Sequence, residues 1–223
     1  MTLDPSPSTA PSPAPSPAPA DPFTATGNLR QPAQALGPRA QKMIARIIDA
    51  TRDVFGTRGY AGTTIDEIAQ VAEVSRASFY TYFPSKREVL LAVGAQAATE
   101  SEAIIDRLPE HATSQRALRD WVADYFDFLD VHGSFAFAWT QAAHDDEEIR
   151  VAGMKRHLRL CKRIGDGLTA NLSRVATDPL TLGVVASATL ERTWNYSQLY
   201  GDTTDRDRLI GTVTATLWAA ARA

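Results

Sequence analysis

Apolar residues recur every three or four positions through most of the chain beyond residue 38, as they do on one face of an α-helix. The clearest stripe lies in residues 115–131, and its members are Leu118, Trp121, Val122, Tyr125, Phe126 and Leu129. Similar patterns predict helices over residues 85–107, 135–143, 145–175, 178–199 and 205–221, after three shorter helices nearer the N-terminus. No segment shows the two-residue alternation of a strand. The pattern therefore predicts an all-α protein of about nine helices.

Residues 63–90 contain the start signals of three helices within a short distance. Thr64 followed by Glu67 forms a capping box, in which each side chain satisfies a backbone amide of the other residue. Ser75 can cap the next helix, and Ser85 can cap the one after it. Two short helices joined by a tight turn are typical of a helix-turn-helix, whose second helix enters the major groove of DNA.

The helix after Ser75 has an apolar side and a polar side. Phe79 and Phe83 lie four residues apart, so they share a face that should pack against the rest of the domain. The other side carries Arg76, Ala77, Ser78, Tyr80 and Tyr82. The guanidinium of Arg76 could donate two hydrogen bonds to one guanine, whereas the tyrosine hydroxyls could donate to phosphates. This division predicts a recognition helix.

The same residues agree with a known signature at many spaced positions. Those positions are Thr63, Thr64, Ile68, Ala69, Ala72, Val74, Ser75, Phe79, Tyr80, Tyr82, Phe83, Lys86 and Leu90. In this spacing, residues 40–91 resemble the N-terminal signature of the tetracycline-repressor-like (TetR-type) transcriptional regulators. The resemblance implies an N-terminal three-helix helix-turn-helix DNA-binding domain and a C-terminal helical domain for ligand binding and dimerisation. One departure is Glu73, where the family usually has Gly; a left-handed backbone there would cost Glu about 1 kcal/mol.

The resemblance also implies a function. Such regulators bind palindromic operators in double-stranded DNA as homodimers, and the commoner outcome is a bacterial repressor that a small hydrophobic molecule releases from DNA. We therefore predict that the helix-turn-helix, with two basic residues ahead of it, contacts DNA. The predicted contacts are Arg39, Lys42, Thr63, Thr64, Ser75, Arg76, Ala77, Ser78, Tyr80, Tyr82 and Lys86.

Charge is unevenly distributed along the chain, although its net charge is −3: residues 36–90 are mildly basic and residues 91–223 are acidic. Residues 36–90 carry eight Lys/Arg and six Asp/Glu, whereas residues 91–223 carry fourteen and eighteen. Residues 4–22 form a Pro/Ser/Ala run without apolar periodicity, which favours disorder. We predict a disordered tail over residues 1–38, a DNA-binding domain over 39–90 and a ligand-binding and dimerisation domain over 91–223.

The last two predicted helices have apolar faces wide enough to pair with a second copy of the chain. Two antiparallel helices of this kind can form a four-helix bundle with a symmetric partner, or they can complete the core of one chain. The resemblance favours the homodimer. The predicted interface residues are Val184, Val185, Ala188, Arg192, Tyr196, Leu209, Ile210, Val213, Leu217 and Ala220.

Large aromatic and soft side chains are concentrated in the middle helices, together with a few polar groups. A mostly apolar pocket with a few polar anchors is the usual form of a small-molecule site, although a plain hydrophobic core has the same pattern. The candidate ligand-binding residues are Trp121, Tyr125, Phe128, Phe135, Phe137, Trp139, His144, Met154, His157, Trp194 and Asn195.

Two other classes of function compete with a regulator. An enzyme on a helical bundle would need paired Glu-x-x-His motifs, a nucleophile elbow or a phosphate loop, and the sequence has none of them. The acidic run after His144 is explained by a helix start, so neither a metal nor a cofactor is expected. A protein-binding adaptor that uses the helix-turn-helix only for packing stays open. The single Cys161, without a signal peptide or an apolar span, favours the cytoplasm.

Overall fold

The computed structural model describes residues 36–175 and 177–223. Within these residues all regular structure is helical, with ten α-helices and a 3₁₀ turn at Gly201–Thr203. The α-helices are α1 (Pro38–Gly62), α2 (Ile65–Val71), α3 (Arg76–Tyr82), α4 (Lys86–Asp106), α5 (Leu108–His111), α6 (Gln115–His132), α7 (Phe135–Asp145), α8 (Glu147–Thr169), α9 (Pro179–Tyr200) and α10 (Arg206–Arg222). Among these described helices α5 is a single turn and the other nine are longer. The prediction of an all-α protein with about nine helices is confirmed.

The observed helices differ most from the predicted ones at two places. The helix that was predicted to reach residue 175 ends at Thr169, and the short α5 was not predicted. Most of the predicted tail, residues 1–35, lies outside the described residues. Its last part is already structured, because Leu36 packs against the head and Pro38 opens α1, where the missing N–H of proline costs no hydrogen bond.

The N-terminal head is formed by α1, α2, α3 and the start of α4. Its core consists of Ile44, Ile47, Ala50, Val54, Ile68, Ala72, Phe79, Phe83 and Val89. Phe79 and Phe83 are fully buried and their rings are 5.8 Å apart, as their four-residue spacing on α3 predicts. The two rings fix which side of α3 faces inward, so Arg76, Ala77 and Thr81 are left exposed on the outer surface of the head.

The body consists of α4 to α10, and its core lies between α6, α8, α9 and α10. Trp121 and Trp194 are both in this core, and each indole N–H has a partner. The indole of Trp121 donates to the carbonyl oxygen of Ile104 at 2.9 Å, and that of Trp194 donates to a carboxylate oxygen of Asp130 at 2.7 Å. Because buried polar groups need hydrogen bonds, these contacts allow both large rings to lie in the core.

The α8 and α9 helices approach so closely that two glycines are required where they cross. A methyl group added to Gly183 would lie 1.7 Å from the carbonyl oxygen of Cys161, and one added to Gly165 would lie 1.7 Å from that of Pro179. Any side chain at either position would therefore force the two backbones apart. This crossing holds α9 against the body along much of its length.

Head and body are joined by α1 as well as by the continuous α4. A separate apolar cluster at this boundary contains Phe55, Leu90, Leu91, Val93, Phe135, Ala138, Ala142 and Ile149. Beside it, Arg52 of α1 donates to Gln96 of α4 at 3.0 Å, and Arg87 of α4 lies 2.7 Å from the carboxylate of Asp146. The head and the body are therefore in contact along two helices, α1 and α4.

Candidate nucleic-acid interface

The start of α2 has the capping box that its sequence predicts. The hydroxyl oxygen of Thr64 accepts a hydrogen bond from the amide of Glu67 at 3.2 Å, and the Glu67 carboxylate accepts one from the amide of Thr64 at 2.9 Å. The Thr64 amide lowers the pKa of the Glu67 carboxyl. At α3, the hydroxyl of Ser75 accepts from the amide of Ser78 at 3.0 Å. Both short helices of the head are thus held by local caps.

The turn between α2 and α3 has a left-handed residue where the sequence has Glu. Glu73 has a φ of 51°, in the region that favours glycine. Its carboxylate lies 2.8 Å from the guanidinium of Arg46 on α1. The turn geometry expected of a helix-turn-helix is therefore present without the usual glycine.

The outer side of α3 is a compact polar surface. Arg76 and Ala77 are exposed at its first turn beside the exposed cap Ser75, while Tyr80 and Tyr82 lie half-buried against the head core. Ser78 lies half-buried in the same turn, with its hydroxyl 2.9 Å from that of Ser75. The structure thus brings together six of the predicted contact residues around one short helix. It also places Thr64, Arg39 and Lys42 on exposed turns of the head.

Arg76 has an acidic neighbour that was not among the predicted site residues. Its Nη1 atom donates to both carboxylate oxygens of Asp66, at 2.9 and 2.8 Å, and its Nη2 atom lies 3.5 Å from the hydroxyl of Tyr80. These two partners raise the pKa of the guanidinium, with Tyr80 as the larger cause. Asp66 lies ten residues earlier on another helix, so no local spacing in the sequence indicates this contact.

Two of the predicted DNA contacts have partners within the protein. Thr63 is buried, and its hydroxyl donates to the carbonyl oxygen of Gly59 at 2.7 Å, so its assignment to the outer surface is corrected. Lys86 is half-buried, and its ammonium donates to the carbonyl oxygens of Tyr60 at 2.7 Å and of Thr63 at 3.0 Å. Burial lowers the pKa of Lys86. The lysine closes the C-terminal end of α1 with two of its three N–H groups, and its ammonium also lies 4.3 Å from the centre of the Tyr60 ring.

The candidate ligand-binding residues are divided between separate places. Trp121, Tyr125 and Trp194 belong to the body core, with Phe128 at its edge, whereas Phe135 and Trp139 belong to the cluster beside the head. Burial raises the pKa of Tyr125. The remaining candidates are exposed or half-buried: Phe137, His144, Met154, His157 and Asn195. These candidate side chains are therefore not gathered in one place in the described residues. The sequence could not show this, because helical periodicity does not indicate which helix faces which.

The predicted dimer residues divide in a similar way. On α9, Val184, Val185, Ala188, Arg192 and Tyr196 are all exposed and form an unpartnered face. On α10, by contrast, Ile210, Val213 and Leu217 are buried in the body core, and Leu209 and Ala220 are half-buried. The assignment of Ile210, Val213 and Leu217 to a surface is therefore corrected. The outward side of α10 carries small residues, and they are Thr212, Ala215, Thr216 and Ala219.

The described residues show no sign of a metal centre or a membrane span. Residues 36–175 and 177–223 contain no group of three or more His, Cys, Asp or Glu side chains placed to hold a metal ion. None of the helices in this part of the chain has the length and apolar character needed to cross a bilayer.

Comparison with known proteins gives a consistent assignment. Residues 47–93 match the family described as "Bacterial regulatory proteins, tetR family". The chain is 31% identical over 159 residues to the transcriptional regulator CymR of Pseudomonas putida, covering 69% of this chain and 70% of CymR. It is 30% identical over 132 residues to the regulator EthR of Mycolicibacterium smegmatis, covering 57% of this chain but only 61% of EthR, less than two thirds of that protein.

A solved structure supports the same fold across the body as well as the head. The regulator FadR of Bacillus subtilis, whose crystal contains stearoyl-CoA, superposes with a TM-score of 0.57 at 20% identity and covers 79% of this chain and 98% of that one. The segment matched by the family, the capped helix-turn-helix and the extended similarity to CymR agree. The chain belongs to the TetR family of bacterial regulatory proteins, whose curated relatives are helix-turn-helix transcriptional regulators.

Proposed function

We propose that this protein is a transcriptional repressor that binds a palindromic operator in double-stranded DNA as a homodimer and is released by a small hydrophobic molecule. Residues 39–90 would form its DNA-binding domain and residues 91–223 its ligand-binding and dimerisation domain. The observation that carries the proposal is the division of α3. Phe79 and Phe83 are buried in the head, so Ser75, Arg76 and Ala77 are left on its outer surface.

The DNA contacts follow from that surface. Side chains in the first turn of a recognition helix reach base edges, which favours Arg76 as the reader of a guanine. Phosphates around it would be contacted by the hydroxyls of Thr64, Ser75, Ser78, Tyr80 and Tyr82. Arg39 and Lys42 would extend the contact from α1, and Lys86 would add its third N–H. Phosphate contacts set the register of the protein, and the arginine then selects the sequence.

The homodimer would form through α9 and α10. The exposed face of α9 is apolar at Val184, Val185 and Tyr196, while the outward side of α10 has small residues that allow close approach of a partner helix. Paired with the same surface of a second copy, these helices would form a four-helix bundle with two-fold symmetry. Such a dimer would present its two α3 helices to major grooves roughly 34 Å apart.

The ligand would act through the contacts between body and head. The aromatic body favours an apolar ligand, and a relative of the same fold, FadR, holds stearoyl-CoA. A ligand that favours one arrangement of the body would shift α4, which carries Arg87 against Asp146 and Gln96 against Arg52. Ligand and operator would then weaken each other's binding by the same factor.

The DNA-binding part is tested by selecting bound duplexes from a random-sequence library with the purified protein. We expect an inverted repeat. The substitution Arg76→Ala should cost about 1–3 kcal/mol of affinity for the selected duplex and relax one base position in each half-site. The matched control is Arg116→Ala, because Arg116 is an exposed arginine on the first turn of α6 in the body. Selection of no sequence, or equal effects of the two substitutions, would refute the assignment of α3.

The oligomeric part is tested by light scattering. Val185 of α9 and Val71 of α2 are exposed to almost the same degree, 51% and 53%, but only Val185 lies on the proposed interface. The substitution Val185→Asp should therefore convert dimers to monomers, and Val71→Asp should leave them intact. A wild-type protein that is monomeric at micromolar concentration would remove the dimer from the proposal.

A further inference from the structure

We propose that Asp66 is a positioning residue for Arg76 and that this pair sets the base selectivity of α3. The inference rests on the proposed function, because it concerns how the head reads DNA. Asp66 was not among the predicted DNA contacts, and it lies on α2, which packs beside the recognition helix α3. The task is to hold the guanidinium ready for a base before DNA is present.

The geometry of the pair is specific. Both contacts of Asp66 are made to Nη1 of Arg76, at 2.9 and 2.8 Å, so the carboxylate contacts one of the three guanidinium nitrogen atoms. The Tyr80 hydroxyl lies 3.5 Å from Nη2, and the Tyr80 ring centre lies 5.6 Å from the guanidinium carbon. Two side chains from different helices thus fix the orientation of Arg76, although both Arg76 and Asp66 are exposed.

Asp66 takes Nη1 and the Tyr80 hydroxyl takes one N–H of Nη2, so Nε and the second N–H of Nη2 are left for a base. A guanidinium can bind guanine O6 and N7 through two adjacent N–H groups, and Nε with Nη2 forms such a pair when Nη1 is taken by a carboxylate. A free arginine loses side-chain entropy when it is ordered on a base, whereas one already held in place loses less. Asp66 should therefore strengthen the contact with the correct base.

The charge of Asp66 has the opposite effect on binding without sequence preference. Non-specific affinity comes from attraction between cationic side chains and phosphates, and a carboxylate beside Arg76 reduces that attraction. The same residue would thus strengthen binding to the operator and weaken binding to other DNA. Base selectivity depends on the ratio of these two affinities, so the two effects reinforce each other.

A second ion pair in the head provides a matched control. Glu73 and Arg46 are also exposed, and their closest atoms are also 2.8 Å apart, but Arg46 lies on α1 and not on the recognition helix. Removing the carboxylate of Glu73 changes the net charge of the head by the same amount as removing that of Asp66. It leaves Arg76 and its two partners untouched.

The experiment compares affinities for two duplexes of equal length and composition. One carries the sequence that the wild-type protein selects from a random library, and the other is a scrambled version of it. The variants are Asp66→Asn, Arg76→Ala, the double variant, and Glu73→Gln as the control. We expect Asp66→Asn to tighten binding to the scrambled duplex, to weaken binding to the selected one and to lower their ratio about two- to tenfold.

The double-variant cycle separates positioning from simple charge. If Asp66 acts through Arg76, then Asp66→Asn should not lower the ratio further in a protein that already carries Arg76→Ala, and Glu73→Gln should leave the ratio at the wild-type value. Equal effects of Asp66→Asn with and without Arg76, or an unchanged ratio, would overturn the inference while the proposed function stands. If the wild-type protein selects no sequence at all, the proposed function fails instead.

Discussion

The carboxylate of Glu73 lies 2.8 Å from the guanidinium of Arg46, while the backbone of Glu73 has a φ of 51°. One residue therefore combines a strained conformation with a favourable contact. The left-handed conformation costs a residue with a side chain about 1–2 kcal/mol, and an exposed ion pair contributes about 0–1 kcal/mol. The strain should be the larger of the two.

Replacing Glu73 by glycine should consequently stabilise the protein. We expect Glu73→Gly to raise the free energy of unfolding by up to about 1 kcal/mol, which corresponds to a rise of roughly 2–4 °C in the melting temperature of a chain of this size. Thermal unfolding followed by circular dichroism measures it. The control is Arg46→Ala, which removes the ion pair and keeps the strain. A Glu73→Gly protein that melts below this control would contradict the expectation that the backbone strain outweighs the ion pair.

Lys86 should affect stability and DNA binding together. In Lys86→Met the two carbonyl oxygens of Tyr60 and Thr63 lose their donor, so we expect a loss of about 1–2 kcal/mol in unfolding free energy. If the third N–H contacts a phosphate, the slope of log affinity against log salt should also fall by about 1. Lys42→Met, on an exposed turn of α1, should change the slope alone. A Lys86→Met protein as stable as the wild type would show that the carbonyl contacts contribute nothing.

Two glycine substitutions should have opposite effects on stability, because Gly183 lies at the α8–α9 crossing and Gly211 lies on α10. Gly183→Ala places a methyl group where Cys161 already has its carbonyl oxygen, so it should destabilise the protein by about 1–3 kcal/mol. Gly211→Ala on α10 meets no atom within 4 Å and should stabilise by up to about 1 kcal/mol through helix propensity. Denaturant unfolding measures both, and equal midpoints for the two variants would contradict the close approach of the helices.

His132 should make stability depend on pH. It is buried where α6 meets α4, its Nε2 lies 2.8 Å from the carboxylate of Glu100, and Arg52 and Asp49 of α1 are the other charged groups nearby. Burial lowers the pKa of His132, and Glu100 only partly opposes that effect. The folded protein therefore takes up this proton less readily than the unfolded chain, whose histidine pKa is about 6.5. Stability should fall as the pH drops below about 6.5.

The measurement is the melting temperature between about pH 8 and about pH 5, a range that brackets the histidine pKa of about 6.5 in the unfolded chain. His132→Gln should flatten the decline in this range, while a further loss at lower pH should remain, because the hydrogen bond from Arg87 lowers the pKa of the Asp146 carboxyl in the folded protein. His144→Gln, at an exposed position on α7, serves as the control and should leave the decline unchanged. An identical pH profile for His132→Gln and the wild type would exclude His132 as the source.

Local signals in the sequence were sufficient for the helices of the head and for the two sides of α3. Thr64 with Glu67 and Ser75 with Ser78 are contacts over three residues, and Phe79 with Phe83 is one over four, so adjacent positions in the chain contain the whole interaction. The same patterns could not decide whether the aromatic residues line a ligand pocket, because an aromatic stripe has the same periodicity whether it faces a cavity, a neighbouring helix or solvent.

The sequence by itself therefore determined the all-α fold, the capped helix-turn-helix and the family, since each depends on contacts between residues close together in the chain. Only the tertiary structure decided that α10 turns Ile210, Val213 and Leu217 into the core, that Lys86 closes the end of α1, and that Asp66 holds Arg76. The physical reason is that helical periodicity specifies which residues share a face, whereas the packing of distant segments specifies what that face meets.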